Sequence, residues 1–172
     1  MVDSYENLQG MIWVDGELVQ WKDAKFHLLT HALHYGSSVF EGERAYGGRI
    51  YKSKEHSSRL IRSGQYVDIN IPYSIDDLEE AKKKVLKANK QKDSYVRALA
   101  WRGSGPDMGV ASSRNPVKVA IASWEWGAYY GDAKIKADFT CAETIGNLYS
   151  IGKVIPFLRA PITVKGNVLS SL

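Results

Sequence analysis

One cysteine, Cys141, is all the 172-residue sequence has, which rules out an internal disulfide and any cysteine-rich zinc site and suits a reducing compartment. No run of eighteen or more apolar residues occurs, so no membrane-spanning helix is expected. The start, Met1-Val-Asp-Ser-Tyr-Glu6, is neither a basic-then-apolar signal peptide nor an arginine-rich transit sequence, and a cytoplasmic location is expected. A glycine-rich phosphate loop followed by Lys-Ser/Thr is missing, as is Gly-x-Ser-x-Gly, so ATPase and serine-hydrolase readings have no support. There is no internal repeat and no low-complexity segment. The net charge of +4 comes from scattered lysines whose densest run, Lys82-Lys83-Lys84, falls in a helix-like segment, so nucleic acid is not an expected partner. Such a basic balance suits phosphorylated and carboxylate small molecules.

What is present is organised around His31-Ala-Leu-His-Tyr35-Gly-Ser-Ser-Val-Phe40-Glu-Gly-Glu-Arg44. Aromatic and imidazole groups flank a Gly-Ser-Ser turn. Gly36 and Gly42 permit positive φ or close backbone approach, and Tyr35 and Phe40 supply rigid apolar surface. His31-x-x-His34 has no nearby cysteine and no clear acidic third ligand, so both imidazoles are read as structural and no metal is expected.

Around this stretch the patterning predicts hairpins, helices and strands in turn. Residues 11–21 alternate about Asp15-Gly16 and read as a hairpin; Gly47-Gly48 reads as the turn of a second. Ser53 is placed to cap a helix that breaks near Gly64. Ser74-Ile-Asp-Asp77 opens a clearer one, with Ile75, Leu78, Ala81, Val85 and Ala88 as its apolar stripe and its charges facing water. Ser94–Trp101 alternates as a strand that shows Tyr95, Arg97, Leu99 and Trp101 on one face. Residues 103–116 read as a loop, and 117–126 as a long buried strand. The fold class is α+β. From residue 137 onward only Asp138, Glu143, Lys153, Arg159 and Lys165 are charged, which marks a segment made to pack against something else.

Several stretches follow one another along the chain: Met11-Ile-Trp-Val-Asp-Gly-Glu-Leu-Val19, the central run, Glu55-His-Ser-Ser-Arg59-Leu60, Ser94-Tyr95-Val-Arg97, Asp107-Met-Gly-Val110 and Trp124-Glu-Trp126-Gly-Ala-Tyr129. Over roughly residues 10–134 the sequence resembles the N-terminal domain of the class IV, pyridoxal-phosphate-dependent aminotransferases, most of all the branched-chain amino acid aminotransferases. The resemblance implies a mostly antiparallel sheet with packed helices. Residues 1–136 would form that domain, and 137–172 a divergent start of a missing C-terminal cofactor-binding domain.

The resemblance also implies roles. Arg59 is the position that contacts the cofactor phosphate, a task suited to a guanidinium; its spacing equally allows a surface pair with Glu55. Tyr95 would help hold the substrate α-carboxylate, and Arg97 would receive the side-chain carboxylate of glutamate. Phe40, Tyr35, Trp126 and Tyr129 would form an apolar wall, while Met108 and Val110 would project toward a neighbouring subunit's site. The lysine that holds pyridoxal 5′-phosphate and moves a proton at the substrate α-carbon is assigned to Lys165, four residues after Pro161, with Lys153 as alternate. After Lys165 the run departs from the family, with Asn167 two residues on and Val168 where a tyrosine is expected.

The implied reaction is amino transfer between branched-chain L-amino acids and 2-oxoglutarate, in amino acid biosynthesis, by a homodimer or higher homo-oligomer. Same-fold alternatives are a D-amino acid aminotransferase and an aminodeoxychorismate lyase. A different class is a non-catalytic remnant that associates with another subunit.

Overall fold

The computed structural model describes residues 4–111 and 113–126, and the backbone of 162–164 and 167–169. The chain divides into two compact units, Met1–Glu125 and Trp126–Leu172. The first is built on a six-stranded sheet of order β2-β1-β6-β5-β3-β4. Its strands are β1 (Met11–Val14), β2 (Glu17–Gln20), β3 (Ser38–Tyr46), β4 (Arg49–Ile50), β5 (Ser94–Arg102) and β6 (Val117–Trp124). Every neighbouring pair is antiparallel, as the α+β reading expects.

Both predicted hairpins form where the turn dipeptides place them. Asp15 and Gly16 take φ of 48° and 107°, and Gly47 and Gly48 take 56° and 80°, the positive-φ pair that a two-residue turn needs to match the strand twist. The helix α1 (His31–Tyr35) ends on Gly36 at φ 65°, so this glycine serves as a left-handed C-cap.

Two longer helices cover one face of the sheet: α2 (Ser53–Tyr66) over β3 and β5, and α3 (Ile75–Ala88) over β1 and β6. Ser74 and Asp77 close the expected capping box at the start of α3. Between helices and sheet lie Trp13, Val39, Leu60, Ile69, Leu78, Val85, Val96, Val119 and Ile121, all buried.

Three expectations about the helices are corrected. Ser53 is not a cap: Lys52, in the left-handed region, takes that position without a side-chain cap bond, and the Ser53 hydroxyl donates to Glu79 Oε1 at 2.8 Å, with Glu43 Oε2 at 3.2 Å as its alternative acceptor. Gly64 does not break α2, which runs to Tyr66. It is buried where a β-carbon would stand 2.6 Å from the carbonyl oxygen of Ile69, so the glycine lets the chain fold back across the helix. Nor do the charges of α3 all face water, since Lys82 is fully buried and Glu79 nearly so, whereas Ala88 is exposed. The last strand of the unit ends at Trp124, two residues short of the expected boundary.

In the second unit, β7 (Ile162–Val164) and β8 (Asn167–Leu169) pair antiparallel, with Val164 opposite Asn167.

Candidate active-site face and its supports

Strand alternation sorts the central run into two sets. Val39, Glu41, Glu43 and Ala45 are buried on the helix-covered side, and Phe40, Gly42 and Arg44 point the other way. On β5 the same rule places Tyr95, Arg97 and Leu99 with the second set, and the register sets Gly42 opposite Arg97 and Arg44 opposite Tyr95. The face away from the helices therefore gathers Phe40, Tyr95 and Arg97 from two adjacent strands.

There the Arg97 guanidinium carbon lies 4.2 Å from the centroid of the Phe40 ring and 5.3 Å from that of Tyr95. Its Nη2 donates to the Tyr95 hydroxyl at 2.9 Å, while its Nε is buried with no hydrogen-bond partner among the described residues. A charged donor left over in such a place is suited to a carboxylate, which accepts from a guanidinium edge in the same plane. Gly42 makes the arrangement possible, because a β-carbon on it would collide with the Tyr95 hydroxyl. The sequence offered this glycine as a close-approach position, though not its partner.

Arg59 reaches β3 from the opposite side. Its Nε donates to Glu41 Oε1 at 2.6 Å and its Nη2 to Glu41 Oε2 at 2.6 Å, a bidentate pair, and His56 Nδ1 lies 2.7 Å from the same Oε2. Burial pushes the Glu41 carboxyl up, but hydrogen bonds from Arg59 and His56, with their charges, outweigh it and hold Glu41 below the usual carboxylate value. Arg59 is shifted up by its hydrogen bond to Glu41. The surface pair with Glu55 is not what forms, as Glu55 meets Lys52 at 3.2 Å.

Beside this pair lies a cluster the sequence reading missed. Lys82 Nζ is 2.8 Å from Glu43 Oε1 and 2.9 Å from Oε2, bonding the latter, and also reaches Ser57 Oγ at 2.7 Å and Glu79 Oε1 at 3.2 Å. Burial pushes the Glu43 carboxyl above its usual value despite Lys82. At Glu79 burial acts the same way, but the Ser57 and Ser53 hydroxyls and Lys82 outweigh it. A signal was available: Glu41 and Glu43 occupy the same alternate positions as Val39 and Ala45, which is where a half-buried strand keeps its apolar residues.

Tyr35 meets the loop that follows β5. Its hydroxyl donates to the Met108 carbonyl at 2.8 Å, and His31 is bonded to Ser37 Oγ at 2.7 Å and to the Gly109 carbonyl at 3.0 Å. Buried Asn115 grips the base of the loop, accepting from the Asp107 N–H at 3.1 Å and donating to its carbonyl at 2.6 Å. The loop so fixed displays Val110, 78% exposed, and Met108. His34 is bonded to the Leu28 carbonyl. Trp126 is half-buried in the second unit, while Tyr129, Lys153 and Lys165 lie outside the described residues.

The unit thus has an antiparallel sheet with helices on one side and an aromatic-lined guanidinium on the other. The family model for class IV amino-transferases matches residues 38–146, and the chain belongs to that family. The branched-chain-amino-acid aminotransferase of Pseudomonas aeruginosa is 43% identical over 137 residues, covering 77% of this chain and 44% of the relative. The crystal structure of the Escherichia coli branched-chain amino acid aminotransferase superposes with a TM-score of 0.69 at 39% identity, covering 73% of this chain and 42% of that one. A further crystal structure, of a branched-chain amino acid aminotransferase with pyridoxamine 5′-phosphate, gives a TM-score of 0.67 at 43% identity, covering 73% of this chain and 43% of that one. The chain thus spans less than half the length of these relatives.

Proposed function

We propose that this chain carries the substrate-facing half of a pyridoxal-5′-phosphate-dependent aminotransferase that moves the amino group between branched-chain L-amino acids and 2-oxoglutarate. The observation that carries it is Arg97: a guanidinium stacked on Phe40, with a buried Nε lacking a partner among the described residues. Such a face would take an aliphatic side chain beside the ring and a side-chain carboxylate on the cation, the two shapes this reaction must alternate between. Support also comes from the likeness to branched-chain enzymes, one of them a structure with pyridoxamine 5′-phosphate.

An arginine and a lysine are the donor types such a cofactor needs. Arg59 would hold its phosphate, and Lys165 would carry it and move the proton at the substrate α-carbon. When bound, the cofactor supplies the electron sink that makes that proton removable. Tyr95 would orient the α-carboxylate, while Phe40, Tyr35, Trp126 and Tyr129 would exclude water from the aliphatic side chain. Residues 1–136 would form the N-terminal domain, and 137–172 would begin the cofactor-binding one.

The chain is proposed to work in the cytoplasm as a homodimer or higher homo-oligomer. Among the described residues no helix is long and apolar enough to cross a membrane. Leu28, Leu33 and Val110 are exposed, 76%, 65% and 78% accessible. Met108 and Val110 would reach the neighbouring subunit's site.

The test is the absorbance spectrum of the chain with pyridoxal 5′-phosphate, repeated with Lys165→Ala, followed by amino-acceptor assays with 2-oxoglutarate. A cofactor band in the parent that the variant loses, with transfer from leucine, supports the reading. A folded chain with no band would favour a non-catalytic remnant that binds another subunit, and a preference for D-amino acids would point to the same-fold alternative.

A further inference from the structure

Glu41 poses a problem for an anion site. A buried carboxylate beside Arg59 subtracts charge where a phosphate is to bind, so whatever it contributes must be geometric. The geometry is specific. Both carboxylate oxygens are used, Oε1 by Arg59 Nε and Oε2 by Arg59 Nη2, each at 2.6 Å. The carboxylate itself is immobile: it rises from the middle of β3, its side chain is 2% exposed, and β3 is paired through Glu41 to Ala98 of β5. The helix that carries Arg59 is pinned independently, since Ser53 and Ser57 on the preceding turns are bonded to Glu79, and Ser57 also to Lys82. An arginine has a long chain of rotatable bonds and loses much freedom when it must meet a ligand in one pose. Here that freedom is removed before any ligand arrives.

We propose that Glu41 is the positioning residue for Arg59: its buried carboxylate clamps the Nε–Nη2 edge and thereby fixes the direction in which the guanidinium meets the cofactor phosphate. This rests on the reading of Arg59 as the phosphate contact. Glu41 does not touch the phosphate. It acts through the planar fork of the arginine, which a lysine in the same place could not transmit.

The experiment has two arms on the 172-residue chain. In the first, the Arg59 Nε–H signal is followed by nitrogen-15 NMR and identified by its loss in Arg59→Lys. A signal shifted from the surface-arginine position and protected from solvent exchange, which moves to that position in Glu41→Gln, is expected. An Nε–H that exchanges like a surface arginine in the parent, or is unmoved in Glu41→Gln, overturns the clamp. Should Glu41→Gln fail to fold, Glu41→Asp keeps the charge but withdraws it by one methylene, and the same shift is expected in part. In the second arm, binding of pyridoxal 5′-phosphate and of pyridoxal is measured by tryptophan quenching. Glu41→Gln should weaken the phosphorylated form roughly tenfold, the lower end of what an outer partner costs, and leave pyridoxal unchanged. Combined with Arg59→Lys it should add nothing further. If Arg59→Lys lowers the preference for the phosphorylated form but Glu41→Gln does not, the clamp is overturned and the phosphate reading stands. If Arg59→Lys leaves that preference unchanged, or no binding is seen, the phosphate reading fails, and the first arm still decides whether Glu41 fixes Arg59.

Discussion

The hydroxyl of Tyr95 occupies the space that a β-carbon on Gly42 would need, and from there it accepts from Arg97 Nη2 at 2.9 Å. One missing methyl on β3 thus sets the pose of a tyrosine on β5 and, through it, of the guanidinium beside Phe40. Gly42→Ala is expected to cost about 1–3 kcal/mol by overpacking, read from urea unfolding. Tyr95→Phe should destabilise the parent by about 1 kcal/mol through the lost hydrogen bond, yet recover stability in the Gly42→Ala background, because the atom nearest the new methyl is the one removed. Simple additivity of the two changes would refute this account.

Lys82→Met leaves Glu43 and Glu79 buried without their cation. An uncompensated buried charge costs about 3–5 kcal/mol, whereas replacing the whole cluster by apolar residues of similar volume is expected to be neutral or stabilising by ~1–4 kcal/mol. Urea denaturation of Lys82→Met beside Lys82→Met/Glu43→Leu/Glu79→Leu checks the contrast. A near-silent single variant would show that the ammonium is not neutralising these carboxylates.

The two carboxylates of β3 pull stability in opposite directions with pH. Glu41 is shifted down, so in the folded state it releases its proton more readily; its contribution is present above the usual value of 4.5 and lost as pH falls through the lower folded one. Glu43 is shifted up from 4.5, so its contribution is present below that value and lost as pH rises through the folded one. In unfolding measurements from about pH 3 to 7, Glu41→Gln should flatten the acid limb and Glu43→Gln should remove a decline on the other side. The same change of slope in both variants would contradict these signs.

Asn115→Ala removes the side chain that accepts from the Asp107 N–H and donates to its carbonyl. A cost of about 1–3 kcal/mol is expected from the unsatisfied backbone groups. Faster cleavage within residues 103–116 by limited proteolysis, with the sheet otherwise intact, would locate the loss in the loop that displays Met108 and Val110. Unchanged cleavage would assign the loop's shape to His31 and Tyr35 instead.

Local chemistry was legible. Asp15-Gly16 and Gly47-Gly48 place their turns because only certain residues accept positive φ, and Ser74 with Asp77 places a helix start because a hydroxyl and a carboxylate satisfy its first N–H groups. The alternation of β5 put Tyr95 and Arg97 on one face, as the structure shows. The ordered motifs carried the family, and the class IV match agrees. The grouping of side chains across elements was not legible in the same way: the Tyr35 hydroxyl bonds the Met108 carbonyl 73 residues away, and Ser53 went to buried carboxylates and not to a helix cap.

By itself, then, the sequence determined the turns, the strand faces and the family, because each depends on backbone preferences and spacings within a few residues. The tertiary structure alone decided which cations the buried carboxylates of β3 meet. Glu43 meets Lys82 across 39 residues and Glu41 meets Arg59 across 18. A glutamate becomes tolerable in a core only where the packing of helix on sheet brings it a cation, and that coincidence is a property of the assembled fold.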